Sequence, residues 1–257
     1  MKNELVEIVQ EAGKIIASYW GDTTSVQKED LSPLTEADKA SHAYLSETLP
    51  KLEAIPVVSE EAEPAYEVRK NYTRYWLVDP LDGTKGFLKG HDDFCVNVAL
   101  IQDRTPIVGA IYAPILDALY YAAKGEGVTC VRSSLSREAS QENGLCAIVS
   151  RLHHSPRTQR FLSLNAIDRI IEMSSALKFC KLATREADIY PRFEGSKEWD
   201  IAAGHLILTE SGGVIIDLKT RCPPVYNNPS IRNNSFVAYR SGLEFENFTL
   251  LGDICAD

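Results

Sequence analysis

Two apolar, strand-like runs in this chain stop abruptly at acidic residues. One is IPVVSEE, residues 55–61, and the other is RYWLVDPLDGT, residues 74–84. Runs of this kind belong inside a sheet. A carboxylate at the end of one must either reach solvent through a turn or face something that compensates its charge. In DPLDGT, Asp79 and Asp82 are separated by Pro80 and Leu81 and followed by Gly83 and Thr84. Proline early in a turn and the Asp-Gly pair are both turn signals. A surface turn is therefore one reading, and a site that holds its ligand through carboxylates is the other.

The rest of the chain alternates between helical and strand patterns. Leu5, Ile8, Val9, Ala12, Ile15, Ile16 and Tyr19 recur at helical spacing, and Gly21 and Asp22 end that pattern. DLSPLTEADKASHAYLSETLP predicts a polar loop and a second helix stopped near Pro50. CVNVALI, PIVGAIYAP and ALYYAA read as a strand meander. A polar stretch at about 130–145 is the best candidate for a boundary, giving an N-terminal lobe over 1–140 and a C-terminal lobe over 141–257. Beyond it, CAIVS, a helix near 156–164, RIIEM, the helix SALKFCKLATREA, the run DIYPRF and the helix WDIAAGHLILTES lead to GGVIID as a final strand. Alternation in both halves favours a layered α/β arrangement over a bundle or an all-β sandwich.

Composition narrows the partners. With 27 Lys and Arg against 36 Asp and Glu, the net charge of −9 argues against nucleic acid or an anionic membrane as the main partner. A small anionic substrate stays open, because bound cations reverse the local sign. The first twenty residues carry acids and no apolar h-region, so they do not read as a signal peptide. No run approaches the ~18 apolar residues of a spanning helix. Six scattered cysteines without a C-x-x-C pair read as reduced, mostly buried thiols, and the cytoplasm is the expected compartment, with peripheral membrane attachment left open.

Known carboxylate motifs test the DPLDGT segment. An EF-hand begun at Asp79 fails, since Leu81 and Gly90 fall where oxygen ligands belong. An aspartyl-nucleophile D-x-D-G-T needs one residue between its acids, and here there are two; a P-loop is absent. An oxygen-rich cation site survives. Pro80 helps bend the chain so that Asp82 returns beside Asp79 and the Leu81 carbonyl is free to coordinate. Mg²⁺ suits such a set, leaving room for water and phosphate. Gly83 permits close backbone approach, and a helical turn beginning at TKGFLKG would aim N–H groups at a phosphate. Glu60 ends its own strand, although EEAEP also reads as a solvated acidic loop. Asp200, in KEWDIAAGH, reads as a helix N-cap, with Ala202, Ala203 and Gly204 small enough to let a helix end approach a ligand. His153, His154 and His205 lack metal-ligand spacing and read as structural, and HDD at 91–93 reads as a polar turn.

Taken together, SPLTEAD, VSEE, WLVDPLDGTKGF, SALKFC, YPRF and WDIAAGH resemble the inositol monophosphatase superfamily of Mg²⁺-dependent, lithium-sensitive phosphatases, and within it the bacterial 3′(2′),5′-bisphosphate nucleotidases. The resemblance runs over most of the chain. It implies an α-β-α-β-α sandwich of the sugar-phosphatase type with the site between two lobes. It implies two or three Mg²⁺ ions held by Glu60, Asp79, the Leu81 carbonyl, Asp82 and Asp200. It implies that Asp38 and Thr84, with Glu60, orient the attacking water, and that Gly83, Thr84, Ser174, Ser175, Lys178, Arg192 and Asp200 contact substrate.

The substrate it implies is a small phosphate ester, adenosine 3′,5′-bisphosphate, cleaved to AMP and phosphate. The alternatives are an inositol phosphate, a sugar bisphosphate, or a metal-binding regulatory protein without turnover. The resemblance allows monomers and dimers. This chain departs from the nucleotidase pattern at Gly86, where a glutamate is usual, at Ser174, where a glycine is usual, and at Asn233-Asn234, where Asn-Pro is usual. Arg192 and Lys178 are cations where inositol-specific relatives tend to carry an acid and a neutral residue, and two cations suit a second phosphate.

Overall fold

The computed structural model describes residues 1–21, 24–27, 33–132, 144–151 and 155–250. Helix α1 (Lys2–Ser18) leads through a short antiparallel ribbon, β1 (Ser25–Gln27) with β2 (Pro33–Thr35), into α2 (Glu36–Leu52). Strand β3 (Val57–Ser59), the single turn α3 (Tyr66–Arg69), β4 (Arg74–Asp82) and the single turn α4 (Thr84–Phe87) follow. The strands β5 (Cys95–Gln102), β6 (Thr105–Ala113), β7 (Ala118–Ala123) and β8 (Gly127–Arg132) complete a six-stranded sheet in the order β3-β4-β5-β6-β7-β8. The remaining elements are β9 (Cys146–Ser150), α5 (Pro156–Leu164), β10 (Arg169–Met173), α6 (Leu177–Ala183), β11 (Ile189–Arg192), α7 (Glu198–Glu210), β12 (Val214–Asp217) and β13 (Phe236–Tyr239). Their five strands form a second sheet in the order β10-β9-β11-β13-β12.

The layers follow from strand alternation. Trp76, Val78, Val96, Val98 and Leu100 face α1 and α2, meeting Leu5, Val9, Ile16 and Leu45. The opposite face of the same strands, with Tyr75, Leu77, Ala99 and Ile101, packs on α6 and α7. Those helices are covered in turn by Ile148, Tyr190, Phe236 and Ala238 of the five-stranded sheet. The outer face of that sheet carries Ala147, Val149, Ile189 and Val237, which pack on Phe161 and Leu162 of α5. The result is an α-β-α-β-α sandwich, with α7 apolar on all sides because it is the middle layer.

Several expectations change. Helix α2 runs past Pro50 to Leu52; a proline in the last turn leaves only one helical bond unmade. The meander has a further strand, β8, which enters the polar stretch as far as Arg132, whereas residues 133–143 lie outside the described ones. Helix α6 is shorter than its pattern, beginning at Leu177 and ending before Arg185, because Ser175 and Arg185 both have positive φ, 60° and 61°. The last strand is β13, not GGVIID; β13 pairs antiparallel with both β11 and β12.

Candidate active site

Parallel pairing brings the two acid-ended runs together. Strand β3 lies parallel to β4, with Val57 opposite Trp76, Val58 opposite Leu77 and Ser59 opposite Val78. Both runs therefore finish at the same end of the sheet, and Glu60 donates its backbone N–H to the Val78 carbonyl at 3.1 Å, which sets it beside Asp79. The register of β4 against β5 shifts between Asp79 and Asp82, so the Pro80-Leu81 segment bulges and both aspartates line one pocket. Gly83 follows at φ +99°, a conformation that needs glycine, and opens the α4 turn.

The third acid arrives from the middle layer. Asp200 is the third residue of α7, not its N-cap; Lys197 caps the helix and donates its backbone N–H to Asp200 Oδ2 at 2.7 Å. Ala202, Ala203 and Gly204, expected to let the helix end approach a ligand, are not among the residues that line the pocket. A Cβ on Gly109 of β6 would stand 2.7 Å from the Ala203 carbonyl oxygen, and one on Gly204 would stand 2.5 Å from the Phe179 ring. The small residues thus seat α7 closely on the sheet and α6, which fixes the height at which Asp200 enters the pocket.

Glu60, Asp79 and Asp200 each offer a carboxylate oxygen within 4.8 Å of the others. Burial, followed by the charges of Glu60, Asp82, Asp200 and Asp38, pushes the Asp79 carboxyl well above its ordinary value. Burial and the charges of Asp82 and Glu60 push Asp200 up to about 8. So crowded a set of carboxylates, Asp79 buried and Glu60 and Asp200 half-buried, carries a repulsion that a divalent cation would relieve, and its all-oxygen donors match a hard cation.

Asp82 lines the same pocket but is not part of that trio. Its Oδ2 accepts from Asn97 Nδ2 at 2.9 Å and from the Ala176 N–H at 2.6 Å. Burial raises its carboxyl, and Lys178, Asn97 and Ala176 oppose that rise. The Leu81 carbonyl accepts from Thr84 Oγ1 at 3.0 Å, while Thr84 Oγ1 stands 3.4 Å from Asp38 Oδ1. Asp38 is buried and its Oδ2 is committed to Thr35, through the backbone N–H at 2.7 Å and the hydroxyl at 2.5 Å.

The C-terminal ends of β9, β10 and β11, which run parallel, close the opposite wall. Ser150, Ser174 and Arg192 sit there, with Ser175, Lys178 and Tyr190. Lys178 is buried, which lowers its ammonium to about 8 against the opposing pull of Asp82. It donates to the Ser175 carbonyl at 2.5 Å and the Met173 carbonyl at 3.4 Å. Arg192 donates through Nε to the Glu194 carbonyl at 3.0 Å.

Asp93 departs most from its sequence reading. It is 2% exposed, not a solvated turn residue. Its Oδ2 accepts the Ser174 N–H at 2.7 Å and Arg151 at 3.0 Å, and its carbonyl accepts the Ser175 hydroxyl at 2.8 Å. Its only sequence signal is the buried Phe94 next to it. Sequence reasoning also missed Ser150, Lys85 and Gly86 of the lining; the end of a parallel strand is the feature that would have marked Ser150. His205 is buried and bonded to the Tyr226 hydroxyl at 2.9 Å, while His153 and His154 lie outside the described residues. Of the thiols, Cys95, Cys146 and Cys180 are buried and Cys130 and Cys222 exposed.

Comparison with known proteins places this architecture. The model of the inositol monophosphatase family matches residues 1–245. The 3′(2′),5′-bisphosphate nucleotidase CysQ of Salmonella typhimurium is 39% identical over 84% of this chain and 90% of its own. That of Escherichia coli K12 is 37% identical over the same shares. The crystal structure of CysQ from Bacteroides thetaiotaomicron superposes with a TM-score of 0.80 at 31% identity, covering 95% of this chain and 98% of that one. An inositol monophosphatase of Thermotoga maritima shares the fold, with a TM-score of 0.75 at 23% identity, over 91% and 89% of the two chains.

Proposed function

The chain belongs to the inositol monophosphatase family, and we propose that within it the chain is a phosphomonoesterase that cleaves adenosine 3′,5′-bisphosphate, or its 2′ isomer, to AMP and phosphate. The observation that carries this reading is one pocket with two opposed walls: the acid trio Glu60, Asp79 and Asp200 on one side, and the buried cations Lys178 and Arg192 on the other. The relatives named as bisphosphate nucleotidases support the same substrate.

In this reading Glu60, Asp79, Asp200, the Leu81 carbonyl and the free oxygen of Asp82 hold Mg²⁺, as two or three ions. Held there, the cation would supply an activated water and would neutralise the phosphoryl and leaving oxygens. Thr84 is the positioning residue for that water. The Thr84 hydroxyl donates its hydrogen bond to the Leu81 carbonyl or to Asp38, so its oxygen would accept a hydrogen bond from the water and align a lone pair with phosphorus. Thr35 fixes the rotamer of Asp38, which in turn fixes Thr84. The water would attack phosphorus in line, forming the new P–O bond as the ester P–O bond breaks; one of its protons stays on the phosphate product, the other is released to solvent, and the leaving ribose oxygen takes a proton from solvent. Arg192 presents its donor fork to the second phosphate, and Lys178 adds charge while holding the Ser175 carbonyl.

The test is phosphate release from adenosine 3′,5′-bisphosphate, adenosine 2′,5′-bisphosphate, inositol 1-phosphate and fructose 1,6-bisphosphate, with and without Mg²⁺. The expected result is Mg²⁺-dependent turnover with kcat/KM highest for an adenosine bisphosphate. Higher efficiency on the inositol or fructose compound returns the chain to a sugar-phosphatase role, and no release from any of them argues for a regulatory protein. Among the described residues, no helix is long and apolar enough to cross a membrane.

A further inference from the structure

Two buried charges grip one loop from opposite sides. Glu198 is the first residue of α7, two before Asp200, and Arg69 is the last residue of α3, in the segment that follows Glu60. They are 0% and 1% exposed. Between them lies the loop 227–229. Glu198 Oε2 accepts the Asn227 N–H at 2.7 Å, and Oε1 accepts the Asn228 N–H and the Asn228 side-chain amide, each at 2.9 Å. From the other side Arg69 donates to the Asn228 carbonyl at 2.7 Å and the Pro229 carbonyl at 3.2 Å. The loop thus turns its N–H groups to the anion and its carbonyls to the cation.

The Asn227 side chain completes the link. Its Oδ1 accepts from Arg69 at 3.0 Å, and its Nδ2 donates to the Arg69 carbonyl at 2.7 Å and the Tyr72 carbonyl at 3.2 Å. Arg69 also pairs with Glu63 at 3.3 Å. Polar contacts therefore run without a break from the segment after Glu60 to the first turn of α7. Glu198, Arg69 and Asn227 are not among the residues that line the pocket. Nor is stability a sufficient reason for burying such charges, since apolar residues of like volume do as well. Charge-assisted bonds in this number do fix relative position. What they fix here is the helix that carries Asp200 against the segment that leads from Glu60.

We propose that Glu198 and Arg69 are positioning residues for the cation site, acting through the 227–229 loop to hold Asp200 at a set distance from Glu60. The proposal rests on the reading in which Glu60, Asp79 and Asp200 hold Mg²⁺. It separates two duties among the acids of α7: Asp200 faces the cation, and Glu198 fixes where Asp200 stands.

The test compares the full chain with Glu198→Gln, Asn227→Gly and a control. Asn227 has a φ of 61°, so glycine takes its place without strain and keeps the backbone N–H that Glu198 accepts, while the side-chain bonds to Arg69 and Tyr72 are lost. The control is Asn165→Ala, which also removes three side-chain bonds, to Phe161 and Thr249, at the end of α5 in the outer layer. Melting temperature is followed against Mg²⁺ concentration without substrate. The Mg²⁺ midpoint should rise roughly 10-fold or more in both clamp variants, the effect of losing a group that orients a metal ligand, and stay at the wild-type value in Asn165→Ala. In chelator, hydrogen exchange over residues 57–66 should quicken in Glu198→Gln, although the substitution lies in α7. KM for adenosine 3′,5′-bisphosphate at saturating Mg²⁺ should change by less than about twofold. An unmoved midpoint, with or without a raised KM, overturns the proposal. So does a control that moves as far, or unchanged exchange over 57–66. If Mg²⁺ does not raise the melting temperature of wild type, the cation reading fails by itself, and exchange over 57–66 alone decides whether the clamp joins the two segments.

Discussion

Asp82 and Ala176 join the two walls of the pocket: one carboxylate oxygen of Asp82 accepts the Ala176 backbone N–H at 2.6 Å while also accepting from Asn97. Replacing Asp82 with Asn keeps an amide oxygen for both donors and removes the charge. Asp82→Asn should therefore melt within a few degrees of wild type in chelator yet bind Mg²⁺ roughly 10- to 100-fold more weakly. Thermal melts and a Mg²⁺ titration of activity check this, and normal Mg²⁺ dependence would return Asp82 to a purely structural role.

Thr84→Ala removes the hydroxyl that bridges Asp38 and the Leu81 carbonyl. kcat should fall by roughly 100-fold, with KM little changed. Thr84→Ser, which restores the oxygen, should recover most of the loss. A change confined to KM would show that Thr84 binds substrate instead.

The acid trio sets a pH dependence in the cation-free protein. Asp79 and Asp200 have folded-state pKa values raised above their unfolded values, so the folded state binds more protons between the two. Their contribution to stability is complete below about pH 4, the unfolded carboxylate value, and is lost as pH rises through about 8. In chelator, the melting temperature should fall across that window relative to Asp200→Asn, and added Mg²⁺ should reverse the fall. A flat difference between the two proteins would refute the repulsion.

Arg192→Ala should raise KM for adenosine 3′,5′-bisphosphate by roughly 10- to 100-fold, the range for a hydrogen bond to a charged group, and leave inositol 1-phosphate nearly unaffected. The ratio of the two KM values is the measurement. Lys178→Ala is a less clean probe, because it also frees the Ser175 carbonyl at a residue already held at positive φ.

Gly109→Ala places a methyl group 2.7 Å from the Ala203 carbonyl oxygen. Backbone cannot yield as a side chain can, so the variant should lose about 2 kcal/mol of stability and also weaken Mg²⁺ binding, since α7 carries Asp200. Denaturant unfolding and a Mg²⁺ titration read the two effects separately.

Much of this fold was legible because its signals are local. The spacing of Leu5, Val9, Ala12 and Ile16 marks α1, and Ser155 with Pro156 marks the start of α5. The adjacency of Glu60 and Asp79 was not legible, because parallel pairing of β3 with β4 is a long-range fact that neither strand's pattern contains. Strand β13 escaped because four residues, FVAY, carry too short a period. Asp93 escaped because an acid in a turn and an acid clamping a distant loop look alike until the loop is in place. The bounds of α6 failed for a related reason: positive φ at Ser175, a residue with no glycine signal, is imposed by Asp93 and Asp82 holding its two neighbours.

The parallel pairing of β3 with β4 makes the pocket a vice with one fixed jaw. Glu60 and Asp79 are spaced by the distance between neighbouring strands, about 4.8 Å, which side-chain substitution elsewhere does not alter. The adjustable jaw is Asp200, which completes the same acid wall but rides on a helix whose seat is a set of glycine and alanine contacts. On the proposed reading, in which these acids hold the cation, retuning the site for an ion of different radius is thus a matter of the cushion beneath α7, and the acids themselves are the wrong place to engineer.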